Sequence, residues 1–267
     1  MTRDETIQAL RQRRASGGAI VVAGVGSGIT AAAAVAGGAD LLATYGTAAY
    51  RILGVPTALA FLPYDDANLL TFGLLPPIVE RAGGVPVIAG LGAHDPRRPL
   101  QRLVDEALTN GASGVTNEPF VGIYGPALRA ELEAAGYGFG REVALLEAAG
   151  RAGLLTLGWA FDDEDVRRLA GAGVDLVGAM AGITGSAGSA EDDIRRLGGM
   201  VEAARRERPD ALVLLHGGPL GDPAAVGAAL LQTGADGYAT GSSAERTPVF
   251  RAVRDAVAAF RELPVSS

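Results

Sequence analysis

The residue with the most chemistry to offer is a histidine at the end of an apolar run. In Leu212-Val213-Leu214-Leu215-His216 the first, third and fifth side chains share one face of a strand, which delivers the imidazole to the strand's end. There it can serve as a general base, a metal ligand or an electrophile that polarises a carbonyl. Gly217 and Gly218 follow at once. Ala239-Thr240-Gly241-Ser242-Ser243-Ala244-Glu245-Arg246 repeats the pattern of an apolar strand breaking into small polar residues. Such strand ends bring backbone N–H groups and serine hydroxyls to an anion. Four more candidates for proton transfer or carbonyl polarisation stand at comparable breaks: Asp65, Asn117, Glu118, and Glu142 at the start of a helix. Gly24, Gly26 and Ser27 interrupt the first apolar run and Tyr45 the second. These four, with Gly217, Gly218, Gly241, Ser242 and Ser243, are the candidate substrate-binding positions.

Composition narrows what these groups can do. All 23 basic residues are arginine and cysteine is absent. A lysine Schiff base and a thiolate nucleophile are therefore excluded, which leaves histidine, carboxylate, hydroxyl and backbone groups. Extra positive charge must come from arginine, with Arg51 and Arg246 the plausible sources, or from a metal. Asp65, Asp66, Asn68, Asp95, Glu118 and His216 are hard donors that leave Mg²⁺ or Mn²⁺ open as a cofactor, although the sequence has no H-x-H or H-E-x-x-H spacing. A net charge of −7 argues against a nucleic-acid or anionic-membrane partner and for a small-molecule substrate. No apolar run reaches the roughly 18 residues of a membrane span, and the N-terminus opens a charged helix instead of a signal peptide. The expectation is a cytoplasmic chain.

The elements that must position these residues alternate. Apolar strands are expected near residues 19–23, 40–44, 85–89, 113–116, 154–158, 174–178, 211–215 and 236–240, with helical patterns between them. A helix over about 4–14 precedes the first strand, and the connection after the fourth holds two helices, near 126–135 and 140–150. The stretch through Tyr45, Tyr50 and Arg51 reads as a polar connection, and Ala181–Ser189 as a flexible loop able to cover a site. Gly38-Ala39-Asp40, Gly111-Ala112-Ser113, Gly173-Val174-Asp175 and Gly234-Ala235-Asp236 each introduce an even-numbered strand, spaced about a quarter of the chain apart. Eight such units over 267 residues predict a (β/α)8 TIM barrel, which typically takes ~250 residues. The barrel spans about 18–262 in one domain, with an N-terminal helix and an extra helix after strand four. An open doubly wound sheet is the runner-up, but no acidic residue ends its second strand to hold a ribose.

Taken together, Gly24-Val25-Gly26-Ser27-Gly28-Ile29, Leu62–Asn68, Asp95-Pro96, Asn117 with Pro119, Val121-Gly122, Gly136-Tyr137-Gly138, His216–Pro219 and Gly241–Arg246 resemble the phosphoenolpyruvate hydrolase-like TIM-barrel family. The family also includes a barrel domain in a plant virus-resistance protein. The resemblance runs from about residue 7 to 262 and implies the barrel, a homo-oligomer, and hydrolysis of phosphoenolpyruvate or phosphonopyruvate. Three positions depart from the pattern it leads one to expect. Ala179 stands in place of a histidine, Glu118 in place of an apolar residue, and Thr47 in place of a glycine. The mutase-type Glu-Asp-Lys signature is missing. These departures point to a diverged pocket.

Two functions follow. The first is a lyase or hydrolase that cleaves a C–C or C–P bond beside a carbonyl in a small oxo-acid or β-dicarbonyl, with no Schiff base. The second is a non-catalytic barrel that senses a metabolite.

Overall fold

Short apolar runs become parallel strands here because both faces of the sheet are buried, one under the helices that connect the strands and the other in the interior of the barrel. The computed structural model describes residues 1–183 and 189–265. Its strands are β1 (Ile20–Gly24), β2 (Leu41–Thr44), β3 (Val87–Gly90), β4 (Gly114–Thr116), β5 (Leu155–Ala160), β6 (Leu176–Met180), β7 (Leu212–His216) and β8 (Gly237–Thr240). They pair in chain order, and β8 returns to β1 with Ile20 beside Gly237, so the sheet closes into a barrel. Around it lie α1 (Arg3–Ala15), α2 (Gly28–Ala36), α3 (Gly46–Ile52), α4 (Ala67–Arg81), α5 (Leu100–Thr109), α6 (Pro126–Ala134), α7 (Phe139–Arg151), α8 (Asp163–Gly171), α9 (Ala190–Glu207), α10 (Pro223–Thr233) and α11 (Arg246–Arg261). This is the expected (β/α)8 fold, with α1 ahead of it and both α6 and α7 after β4. No helix among the described residues is long and apolar enough to cross a membrane.

The fourfold repeat has a structural counterpart. Gly38, Gly111, Gly173 and Gly234 all adopt a left-handed φ, between 69° and 84°, which lets the chain turn from helix end to strand. The acid that follows then accepts an amide of the preceding strand: Asp40 from Val21 at 2.8 Å, Asp175 from Thr156 at 2.9 Å and Asp236 from Val213 at 2.7 Å. The same acids anchor α1, through Arg3 to Asp175 and Arg14 to Asp236. Leu10 of α1 is buried against the lower end of the barrel interior.

Side chains facing inward form one apolar cluster, including Ile20, Val22, Leu41, Leu155, Leu157, Leu176, Leu212 and Leu214. At the upper end this layer changes to Tyr45, Trp159, Met180 and His216. Glycines make room for the large rings. A Cβ on Gly178 would lie 2.0 Å from the Trp159 ring, and one on Gly24 would lie 2.2 Å from the Tyr45 hydroxyl.

Three expectations are corrected. The polar connection after the second strand is helical: α3 begins directly after Tyr45 and is followed by a 3-10 turn over Thr57–Phe61. The expected third and sixth strands begin two residues late. Val85 and Val174 still belong to the helix-to-strand turns, as their amides bond to Ala82 and Leu169 carbonyls. Of the loop expected over residues 181–189, residues 184–188 lie outside the described residues.

Candidate active site

At the C-terminal mouth of the barrel a small cavity of about 60 Å³ is lined by Tyr45, Thr47, Arg51, Phe61, Glu118, Phe120, Trp159, Met180, His216, Gly241 and Ser242, among others. That is about four times the minimum of ~15 Å³ that holds one water, which suits a ligand of a few non-hydrogen atoms.

His216 arrives as the alternation along β7 predicts. Its Nδ1 lies 2.6 Å from the carbonyl of Ala239. A carbonyl can only accept, so the neutral ring carries its proton on Nδ1 and leaves the Nε2 lone pair as an acceptor. Burial and the nearby Arg51 hold the imidazole below its ordinary pKa, while the Ala239 hydrogen bond works the other way. The ring also packs against Trp159, with centroids 5.5 Å apart.

Arg51 faces His216 across Gly241. A Cβ placed on that glycine would lie 3.5 Å from both Arg51 Nη1 and His216 Cε1. Helix α3 brings this arginine inside, where Nε donates to Glu245 at 2.5 Å and Nη2 to the Gly24 carbonyl at 2.9 Å. Glu245 is itself held by the Gly26 amide and the Thr30 hydroxyl, each at 2.7 Å. The guanidinium sits 5.8 Å from the Tyr45 ring centroid, and burial pushes that phenol up to about 12, so it stays neutral.

Glu118 closes the third side. Its Oε1 accepts from the Thr47 hydroxyl at 2.6 Å and from the Thr47 amide at 3.1 Å. Burial pushes this carboxyl up to about 7, against the opposing pull of Thr47 and Arg51. At neutral pH it therefore exists in both protonation states, the condition for a proton donor or acceptor. Residues 47 and 118 are two of the three departures from the expected pattern, and they are bonded to each other.

The structure brings together only part of the candidate set. His216, Glu118, Tyr45, Gly241 and Ser242 line the cavity. Gly24 and Gly26 stand behind it, supplying a carbonyl to Arg51 and an amide to Glu245. Ser27 lies elsewhere as the N-cap of α2, in a capping box with Thr30. Gly217 and Gly218 pack under the β6–α9 connection, where a Cβ would meet the Gly182 carbonyl and the Ala181 side chain. Ser243 sits beside the Tyr238 phenol. Asp65 accepts from Tyr50 at 2.5 Å and borders a separate small pocket. Asn117 and Glu142 form a buried bracket behind the mouth. Asn117 donates to Glu142 and exchanges hydrogen bonds with the Trp159 backbone, while Glu142 accepts the Val121 amide at 2.7 Å. His94 joins them, its Nε2 3.3 Å from Glu142. Of the two arginines expected as sources of positive charge, Arg51 lines the cavity and Arg246 does not, while Phe61 and Phe120 were not among the expected residues. Their signal was weak because irregular segments turn them inward.

The donor set does not fit a divalent cation. Among the described residues no three His, Asp or Glu groups converge as metal ligands. Asp66 and Asp95 are taken up by Arg97 and Arg98, and Asn68 by Gly92. Among the described residues Glu118 is the only carboxylate lining the cavity, beside a guanidinium. Mg²⁺ and Mn²⁺ prefer several oxygen donors, so the open place for either is not met by these residues.

The sequence matches the phosphoenolpyruvate hydrolase-like family over residues 5–263. The chain belongs to that family. A relative from Solanum lycopersicum, the ToMV resistance protein Tm-1(GCR237), is 34% identical over 265 residues, covering 96% of this chain and 35% of that protein. The chain thus spans about a third of that relative's length. Among solved structures, a phosphoenolpyruvate phosphomutase from Streptomyces platensis subsp. rosaceus superposes with TM-score 0.63 at 19% identity, covering 97% of this chain and 87% of that one. A phosphonopyruvate hydrolase in complex with oxalate and Mg²⁺ superposes with TM-score 0.65 at 18% identity, covering 98% and 87%. At these identities the two structures share the fold. Of the departures from the expected family pattern, Ala179 proves remote from the cavity: it is fully buried in the outer apolar layer between strands and helices. Glu118 and Thr47 instead change the cavity wall itself.

Proposed function

We propose that this chain is a lyase or hydrolase that cleaves a bond beside a carbonyl in a small oxo-acid, a C–C or C–P bond, without a Schiff base. The observation that carries the reading is the convergence of three unlike groups on one enclosed space: the free Nε2 of His216, the Nη1 side of Arg51 and the carboxyl of Glu118. Arg51 and Ser242 hold the substrate carboxylate. His216 Nε2 takes a proton from the attacking water, or from a substrate hydroxyl. The electron pair of the breaking bond passes to the neighbouring carbon as an enolate, whose charge is offset by the imidazolium that His216 has become. Glu118, protonated at the outset, gives its proton to that carbon and recovers one from His216 through solvent.

The test is product detection by NMR across a panel of oxo-acids, with the wild type beside His216→Ala. Turnover that survives unchanged in the variant rules out the role given to His216. The metabolite-sensing alternative predicts binding with no conversion of any panel member.

A homo-oligomer belongs to the same reading. Helix α11 buries no residue, and Val249, Phe250, Val253, Val257 and Phe260 along it are 45–74% exposed. Between this helix and β1 and α2 an apolar groove of about 420 Å³ opens, lined by Val21, Val25, Ala33 and Ala34 on one side and by Pro248, Val249 and Ala252 of α11 on the other. An apolar helix and an apolar groove on one chain are met together when a second copy supplies the partner of each. A cytoplasmic setting suits a chain without cysteine.

A further inference from the structure

The mouth of the barrel is divided by barrel order. Groups that hydrogen-bond are His216 at the end of β7, Ser242 just after β8, Thr47 and Arg51 of α3, and Glu118, which follows β4 but reaches across to Thr47 at 2.6 Å. The opposite wall, from β4 through β6, offers Phe120, Trp159 and Met180, with Phe61 closing over them at 5.3 Å from the Phe120 ring. A ligand that fills this space has one polar end and one apolar end.

Charge sets what the polar end is. Among the described residues that line the cavity Arg51 is the one cation, and its charge is already matched by Glu245, whose side chain is 5% exposed. One added negative charge meets a guanidinium edge that the protein leaves free. A second would meet no cation and would lie in the same enclosed space as Glu118. Unpaired charge in a buried setting is costly, and the cost grows steeply from a monoanion to a dianion.

We propose that the cavity takes a small monocarboxylate carrying an apolar substituent, an alkyl-substituted oxo-acid or hydroxy-acid, in preference to a phosphonyl or phosphoryl dianion. The carboxylate lies against Arg51 and Ser242 and the apolar group against Phe120, Trp159 and Met180. The bond cleaved is then C–C, in an acid whose carbon beyond that bond carries a carbonyl for water to attack or a hydroxyl to lose its proton, as in an alkyl-substituted 2,4-dioxo or 4-hydroxy-2-oxo acid. A plain alkyl keto acid is a ligand without such a bond. This deepens the reaction proposed above and rests on it for the chemistry, while the binding preference is measurable by itself.

Calorimetric titration of the purified protein at neutral pH with the α-keto acid of leucine and with phosphonopyruvate tests it. The expected result is binding of the alkyl keto acid at least tenfold tighter. Phe120→Ala removes that advantage without weakening phosphonopyruvate, and the paired variant Arg51→Gln with Glu245→Gln, which leaves no buried charge unmatched, weakens the alkyl acid at least tenfold. Equal or tighter binding of phosphonopyruvate overturns the proposal, as does no binding of the alkyl acid by a protein whose thermal melt is intact. Parallel NMR assays with an alkyl-substituted 2,4-dioxo acid and with phosphonopyruvate separate the two claims. Tight alkyl-acid binding without any product sinks the reaction and keeps the ligand class, whereas release of phosphate from phosphonopyruvate does the reverse.

Discussion

Glu118 is under two opposing demands, and its response to pH follows from them. Burial favours the neutral acid, while two hydrogen bonds from Thr47 and the charge of Arg51 favour the anion, and burial prevails with a pKa of about 7. The folded chain thus holds a proton between about pH 4.5 and 7 that an unfolded glutamate releases. Stability from this group is present below that interval and is lost as pH rises through it. Glu118→Gln keeps an oxygen for Thr47 and removes the charge. Thermal melts should show the variant more stable than the wild type at pH 8, by roughly 2–4 °C per kcal/mol recovered, and little different at pH 4.5. A wild-type advantage at pH 8 would contradict the buried-acid account. For His216 the prediction is spectroscopic. Nitrogen NMR should find the proton on Nδ1 at neutral pH and a midpoint below the ordinary histidine value, because burial and Arg51 both oppose protonation. His216 was legible in the sequence because alternation along one strand fixes a direction. Arg51 was not, since nothing in Gly46–Ile52 shows that this short helix turns its arginine inward to a glutamate 194 residues away.

At the scale of elements, the glycine-acid repeat was the most legible feature. It marks helix ends by φ and strand beginnings by a side-chain acceptor, both local needs with a residue-type signature. The missed elements are those without such a need: α3 starts with no side-chain cap, and the 3-10 turn over Thr57–Phe61 buries no residue. The glycines under Trp159 and Tyr45 were visible only as residues and not as the space they leave. Gly178→Ala would put a methyl group 2.0 Å from the Trp159 ring. It should cost about 1–3 kcal/mol as overpacking and disturb Trp159 fluorescence. An unchanged melt and spectrum would show that the ring has room to move. Glu245 joins three elements, taking Arg51 from α3, Gly26 from the β1–α2 connection and Thr30 from α2. Its replacement by alanine or glutamine leaves a buried guanidinium without a counter-charge, a change of about 3–5 kcal/mol. Glu245→Ala and Glu245→Gln should therefore both melt far lower, while Glu245→Gln paired with Arg51→Gln, which removes both charges, retains most of the stability.

For the whole molecule, the closed barrel places the ends of eight strands on one rim, and this is why residues from 45 to 242 share one cavity. The rim was foreseeable from strand ends, but which groups face its centre depends on loop paths that period-two alternation does not reach. Thus Asn117 and Glu142 lie behind the rim and Gly217 and Gly218 beneath a neighbouring loop. The unpartnered face of α11 lies outside the barrel and predicts an assembly. Phe250→Asp with Val257→Asp should yield a monomer by light scattering, whereas an unchanged mass would place the oligomer contact elsewhere. The central claim, that His216, Arg51 and Glu118 act together on a small oxo-acid, is tested most directly by following an alkyl-substituted oxo-acid panel by NMR with the wild type and His216→Ala. The account predicts C–C cleavage by the wild type and at least a hundredfold slower conversion by the variant. Tight binding without conversion, or equal conversion by both proteins, would contradict it.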